Sequence, residues 1–139
     1  MYDKLDNKAE ALKYYKIAYE KGKMGISAYK IGNIYEENNN IIEAKKWYQI
    51  GIDLDDSQSL VSLGEIKLKE SNDEDAKELF LKGIDKKNAE AMLGMIAYYK
   101  KKNNDKKAKE IAEKIISEKG LFYNDVNLYS TALQIVKIY

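Results

Sequence analysis

Proline, cysteine, histidine and arginine are all absent from these 139 residues. Each absence removes a kind of chemistry. Without cysteine there is no disulfide framework, thiolate nucleophile or iron–sulfur cluster. Zinc and copper prefer the N and S ligands that histidine and cysteine supply, so no metal and no cofactor is expected. Catalytic triads and dyads built on an imidazole base are excluded. Nothing pairs the remaining Lys, Glu, Asp, Tyr and Ser at a telling spacing, and the chain is not expected to be an enzyme. Without arginine, all 24 basic residues are lysines, balanced by 23 acids to a net charge of +1. That balance, and the lack of a guanidinium for bidentate phosphate recognition, point away from nucleic acid. No apolar run approaches the roughly 20 residues that cross a bilayer. The opening Met1-Tyr2-Asp3-Lys4-Leu5-Asp6 carries no apolar signal region. Together with the missing cysteine, this gives cytoplasmic as the expected compartment.

The missing proline also bears on fold. Turns between strands and long loops recruit proline, whereas helix interiors expel it. What is present agrees with an all-α chain, because Lys, Glu, Leu and Ala are frequent and no period-two pattern persists.

The pattern that does persist is a repeat. Glu10-Ala11-Leu12-Lys13-Tyr14-Tyr15 recurs as Glu43-Ala44-Lys45-Lys46-Trp47-Tyr48, Asp75-Ala76-Lys77-Glu78-Leu79-Phe80 and Lys107-Ala108-Lys109-Glu110-Ile111-Ala112. Four residues before each anchoring alanine stands an asparagine: Asn7, Asn40, Asn72 and Asn104. Asparagine is a favoured N-cap, and an acid three residues later suits the helix start. A helix, here called B, is therefore expected from each asparagine. A second motif alternates with it: Ser27-Ala28-Tyr29-Lys30-Ile31-Gly32, Ser59-Leu60-Val61-Ser62-Leu63-Gly64 and Ala89-Glu90-Ala91-Met92-Leu93-Gly94. It reads as a helix, A, with a glycine inside. Such a glycine costs about 1 kcal/mol relative to alanine, so its recurrence implies a neighbouring helix too close for a side chain. Gly51 and Gly83 fit the same reading on the B helices. Gly22, Gly25 and Gly120 fall where left-handed C-caps are expected.

The spacing predicts B helices near 7–21, 40–53, 72–86 and 104–119. It predicts A helices near 25–37, 57–70 and 88–102, and a final helix near 124–138. One helical-repeat domain is expected over residues 1–139. After the first B helix, its repeats cover roughly 25–53, 57–86 and 88–119, followed by the C-terminal helix.

These residues resemble the tetratricopeptide repeat, and more loosely its Sel1-like relatives. Ile31-Gly32-x2-Tyr35 followed by Ala44-x3-Tyr48 matches the tetratricopeptide pattern, as does Leu63-Gly64 with Ala76-x3-Phe80. Leu93-Gly94 with Ala108 matches through a longer turn. The leading tryptophan and the closing proline of the pattern are missing from every copy. The resemblance implies a right-handed α-solenoid of helix-turn-helix repeats, about three and a half in number. It implies a protein-interaction scaffold whose A helices line a groove for a peptide or protein. A structural or self-associating segment of a longer repeat protein is the alternative.

Carried over by register from the glycines, the partner-binding residues are Tyr29, Asn33, Glu36, Glu37, Glu65, Met95, Tyr98 and Tyr99. Tyr29, Met95, Tyr98 and Tyr99 are expected to supply affinity, and Asn33, Glu36, Glu37 and Glu65 orientation. Asn33 matches the asparagine of family members that grip a C-terminal carboxylate. Tyr29 and Ala91 stand where the accompanying lysines would be, against such a clamp. The run Lys100-Lys101-Lys102 reads as a solvated turn. The acids at Asp53-Asp55-Asp56 and Asp73-Glu74-Asp75 miss the EF-hand spacing and read as helix-end residues. Counting back through the repeat, the first B helix has no A partner before it. Its Leu12, Tyr15, Ile17 and Tyr19 are expected to be partly uncovered, which makes that helix a candidate for homo-oligomer contact.

Overall fold

A computed structural model describes residues 4–117 and 132–134, and among them only helices and turns occur. The helices are α1 (Lys4–Gly22), α2 (Gly25–Glu37), α3 (Ile41–Asp53), α4 (Ser57–Lys69), α5 (Asp73–Asp85), α6 (Ala89–Lys101) and α7 (Asp105–Ser117). Six agree with the expected segments to within two residues. The exception at the start is α1, which runs through Asn7, so Asn7 is an interior residue and not an N-cap. The last expected helix falls outside the described residues except for 132–134, which are helical. Contacts divide the chain into two compact units, residues 1–63 and 64–139. Their boundary falls within α4.

From α2 to α7 each helix has 13 residues, and every turn between them is built alike. The left-handed residues Asn39, Asp55, Ser71, Lys87 and Asn103 lie sixteen residues apart. Each donates its N–H to the carbonyl three residues back, at 2.8–3.1 Å. The next residue donates to the carbonyl five back: Asn40 to Tyr35 at 2.8 Å, Asp56 to Gly51 at 2.9 Å, Asn72 to Lys67 at 2.9 Å, Asn88 to Gly83 at 3.0 Å, and Asn104 to Tyr99 at 2.8 Å. This pair of bonds is the Schellman closure, which satisfies orphan carbonyls at a helix C-terminus. The same five residues open the following helix. Asn40, Asp56, Asn88 and Asn104 accept, through a side-chain oxygen, from Glu43, Ser59, Glu90 and Lys107 N–H at 3.3, 2.9, 2.9 and 3.2 Å. Asn72 holds the cap position without such a bond.

Glycine does not supply the left-handed residue of any of these closures. No described glycine has positive φ, so Gly22 and Gly25 are not the left-handed caps expected of them, and Gly120 lies outside the described residues. Three of the interior glycines, Gly32, Gly64 and Gly94, serve packing against an aromatic ring. In the first unit the fully buried Tyr48 of α3 lies on Gly32 of α2, where a Cβ would stand 2.6 Å from Tyr48 Cε1. In the second unit Phe80 of α5, also fully buried, covers Gly64 of α4, where a Cβ would stand 2.6 Å from Phe80 Cε1. The same ring edge occupies the Cβ space of Gly94 on α6. At Gly51 the space is taken by the side chain of buried Ser59, whose hydroxyl donates to Asp56 at 2.7 Å.

Gly32 and Gly64 are each the eighth residue of their helix, and the eighth residue of α6 is Ile96. Sixteen residues beyond these three stand Tyr48, Phe80 and Ala112. The first two hairpins thus set a large ring on a glycine. The third sets an alanine where the ring was and an isoleucine where the glycine was, both buried. Volume is kept while its source changes helix, the kind of exchange that close-packed cores tolerate. Ile96 and Ala112 belong to a cluster with Met92, Ala108, Ile115 and Ala132.

Two outcomes follow. Ser71→Gly relieves a left-handed serine, costing about 1–2 kcal/mol, against a smaller gain in unfolded-chain entropy. The urea midpoint is expected to rise, by about 0.5–1 kcal/mol of stability. Gly64→Ala, favourable by about 1 kcal/mol in an exposed helix, is expected to lower stability by about 1–3 kcal/mol because the Phe80 ring is already pressed against both Gly64 and Gly94. Adding Phe80→Leu should shrink that penalty, a coupling that a double-mutant denaturation cycle measures.

Candidate functional site

The residues singled out from the sequence fall in both compact units. In the first, Tyr29, Asn33, Glu36 and Glu37 lie along α2, and the first three converge on Tyr48. The Tyr29 and Tyr48 rings lie 6.2 Å apart, tilted by 34°. The Tyr48 hydroxyl reaches Asn33 Oδ1 at 2.6 Å and Glu36 Oε1 at 2.7 Å. A phenol has one proton, and the carboxylate is the stronger acceptor. Both contacts are met when the Asn33 amide turns its NH2 toward the phenol oxygen. Burial, reinforced by the bond to Glu36 and its charge, pushes the Tyr48 hydroxyl far above the ordinary tyrosine range. Asn33 and Glu36 therefore spend hydrogen-bonding capacity on their own core. Glu37 is exposed and pairs with Lys8 at 3.1 Å.

In the second unit Glu65 is exposed, but Met95 and Tyr98 are 3% and 6% exposed, packed with Ala76 and Phe80. They are core residues, and the expectation that they supply partner contact is corrected. Tyr99 is half-buried, edge-on to Tyr98 at 5.1 Å, with Lys107 Nζ 5.3 Å from its ring centre. The physical reason is register. Gly94 is the sixth residue of its helix, not the eighth, and the turn before Ala108 is no longer than the others. Aligning on Gly94 moves every derived position by two residues, about 200° around a helix. In the register of the turns, the counterparts of Tyr29, Asn33, Glu36 and Glu37 on α6 are Leu93, Ala97, Lys100 and Lys101.

That register coincides with an open cleft of 260 Å³ in the second unit. Leu68, Leu93 and the buried Phe80 give it an apolar lining, and Glu65, Lys69 and Ala97 line it further. Gly94 also lines it, and its missing Cβ seats the Phe80 ring. At the position where the first hairpin has Glu36 to receive the Tyr48 hydroxyl, this hairpin has Leu68 beside a phenylalanine. The polar anchor of one copy is an apolar wall in the other.

The cleft's frame is tied by ion pairs. Lys101 Nζ donates to Leu68 O at 2.7 Å and to Asp73 at 2.6 Å, and Lys102 pairs with Asp73 at 3.0 Å. These two lysines, Lys101 foremost, hold the Asp73 carboxyl below the usual carboxylate range. The lysine run is thus partly a clasp between the α6 end and the start of α5, in addition to a solvated turn. Behind it, Tyr98 donates to Glu74 Oε1 at 2.7 Å, and Lys77 and Lys102 lie 5.6 and 5.8 Å from its ring centre.

Among the described residues no helix is long and apolar enough to cross a membrane. No family model matches this chain, and comparison with curated proteins gives no match. Among solved structures, the crystal structure of MamA superposes with a TM-score of 0.63 at 21% identity, covering 99% of this chain and 92% of that one. At that identity the likeness speaks for the fold, which is a tetratricopeptide-like array of helical repeats.

The bond to Glu74, with burial and the carboxylate's charge adding to it, pushes the Tyr98 hydroxyl up to about 12. The unfolded value is about 10, so the stability this bond contributes is complete below that pH and is lost as pH climbs toward 12. Urea denaturation across that window should show a smaller loss for Tyr98→Phe than for the parent chain. Identical slopes would remove Tyr98 as the source.

Proposed function

We propose that this chain is a non-enzymatic protein-interaction scaffold that receives an apolar side chain of a peptide or protein partner in the cleft over Phe80. The carrying observation is the cleft itself. It has an apolar lining with an acid and a base beside it, and it lies in the A-helix register where the family resemblance implies a binding surface. Apolar volume supplies affinity, and a few polar groups set orientation. Glu65 and Lys69, one helical turn apart on α4, take that second role. Leu68, Leu93 and Ala97 replace Met95 and Tyr98 as the partner-facing side chains.

Tyr29 and Glu37 of the first unit, and Tyr99 of the second, remain accessible enough to add contacts of their own. Asn33 and Glu36 act mainly through Tyr48, by fixing the α2 surface. The uniform three-residue turns support the tetratricopeptide reading over the Sel1-like one, whose repeats usually carry a longer inter-helix loop. The near-neutral charge supports protein and not nucleic acid as partner.

Ala97 is exposed, so Ala97→Trp fills the cleft without entering the core. Panning a random peptide library against the parent chain should enrich sequences with a Leu, Ile, Met or Phe anchor. Their affinity for Ala97→Trp should be at least about tenfold weaker, with the helical circular dichroism of both proteins alike. Enriched peptides that bind both proteins equally would refute the assignment.

A further inference from the structure

Helix α1 has two unlike sides. Ala11, Leu12, Tyr15 and Tyr19 are half-buried, and the Tyr19 ring meets Trp47 edge-on at 5.2 Å. On the opposite side an exposed row runs Glu10, Tyr14, Ile17, Lys21. Tyr14 is 70% exposed and Ile17 45%, an apolar pair at the centre of the row with an acid at one end and a base at the other. Of the residues expected from the sequence to be uncovered, Ile17 is the most open. Tyr14, not among them, is more so.

The spacing of the row is four, three, four, and it reads the same from either end. A second copy laid antiparallel over it sets Tyr14 against the partner's Ile17 and Glu10 against the partner's Lys21. The two-fold axis repeats both contacts. Lys13 then falls opposite the partner's Ala18, whose small side chain leaves room for the lysine stem to lie flat. A parallel copy would set Glu10 on Glu10 and Lys21 on Lys21, which like-charge repulsion disfavours. A row that complements itself under a two-fold rotation is what an isologous dimer requires.

From this complementarity we infer that α1 is a self-association surface, through which two copies of the chain pair antiparallel along Glu10, Tyr14, Ile17 and Lys21. The contact is one helix wide. It falls below the roughly 1,200 Å² of a stable interface and gives a reversible dimer at high micromolar concentration. It lies on a different helix from the Phe80 cleft, and either can fail without the other.

Sedimentation velocity on the full chain tests this. A monomer–dimer equilibrium is expected, weakened by salt because two exposed ion pairs flank it. Ile17→Glu should leave only monomer with unchanged helical circular dichroism. Glu10→Lys and Lys21→Glu should each weaken association by about tenfold or more, since each turns both flanking pairs into like charges. The double variant, with the charges exchanged, should restore it. A chain that is monomeric at every concentration overturns the inference. So does a dimer indifferent to Ile17→Glu, or a double variant as weak as the singles.

Discussion

Helix ends are the constraint on which the rest of this structure depends. Each end leaves four backbone groups without an intrahelical partner, and a chain of short helices has many ends. Here one residue resolves two of them at once. Asn40, Asp56, Asn88 and Asn104 each close the helix behind with a backbone N–H and open the helix ahead with a side-chain oxygen. Because a single residue does both, the turn has no slack, and each turn in the series is three residues long. The preceding residue must then be left-handed, and the chain places Asn, Asp, Ser, Lys and Asn there, with no glycine. Two of these five, Ser71 and Lys87, lack the short amide or carboxylate that eases that conformation.

A rigid sixteen-residue step determines which side chains meet. The eighth residues of α2 and α4 face the residues sixteen further on. The pairs Gly32 with Tyr48, Gly64 with Phe80, and Ile96 with Ala112 fill similar space by different divisions. The polar consequences follow from the ring chosen. A tyrosine needs Asn33, Glu36 and Ser62 around its hydroxyl. A phenylalanine needs none, and Leu68 beside it leaves an apolar cleft. Tyr48 with Glu36 makes a tied surface, and Phe80 with Leu68 at the same two positions leaves an open one.

Much of the fold was legible in the residues. The recurring Glu-Ala and Leu-Gly motifs placed six of the described helices, and Asn40 and Asn104 were identified as caps that they are. The residues also carry a finer period. Asp56 and Asn88 lie midway between the asparagines of the B helices, on the same sixteen-residue step. Following that step would have placed Ile96, not Gly94, beside Gly32 and Gly64. Gly94 misled because it is a real packing glycine, pressed by the same Phe80 ring, but from two residues away on the helix. A register aligned on Gly94 puts Met95 and Tyr98 at the surface, whereas both lie in the core.

Sequence by itself determined the all-α class, the helix count over the described residues, the hairpin order, and the chemistry that four missing residue types remove. These depend on local interactions: capping, propensity and period are properties of neighbours along the chain. Only the tertiary structure decided which aromatic covers which glycine, that Asn33 and Glu36 serve Tyr48, and that the open cleft lies over Phe80. Those are contacts between helices, set by where a side chain points after a rotation of about 100° per residue. A shift of two positions, invisible to a motif, exchanges the buried side of a helix for its surface.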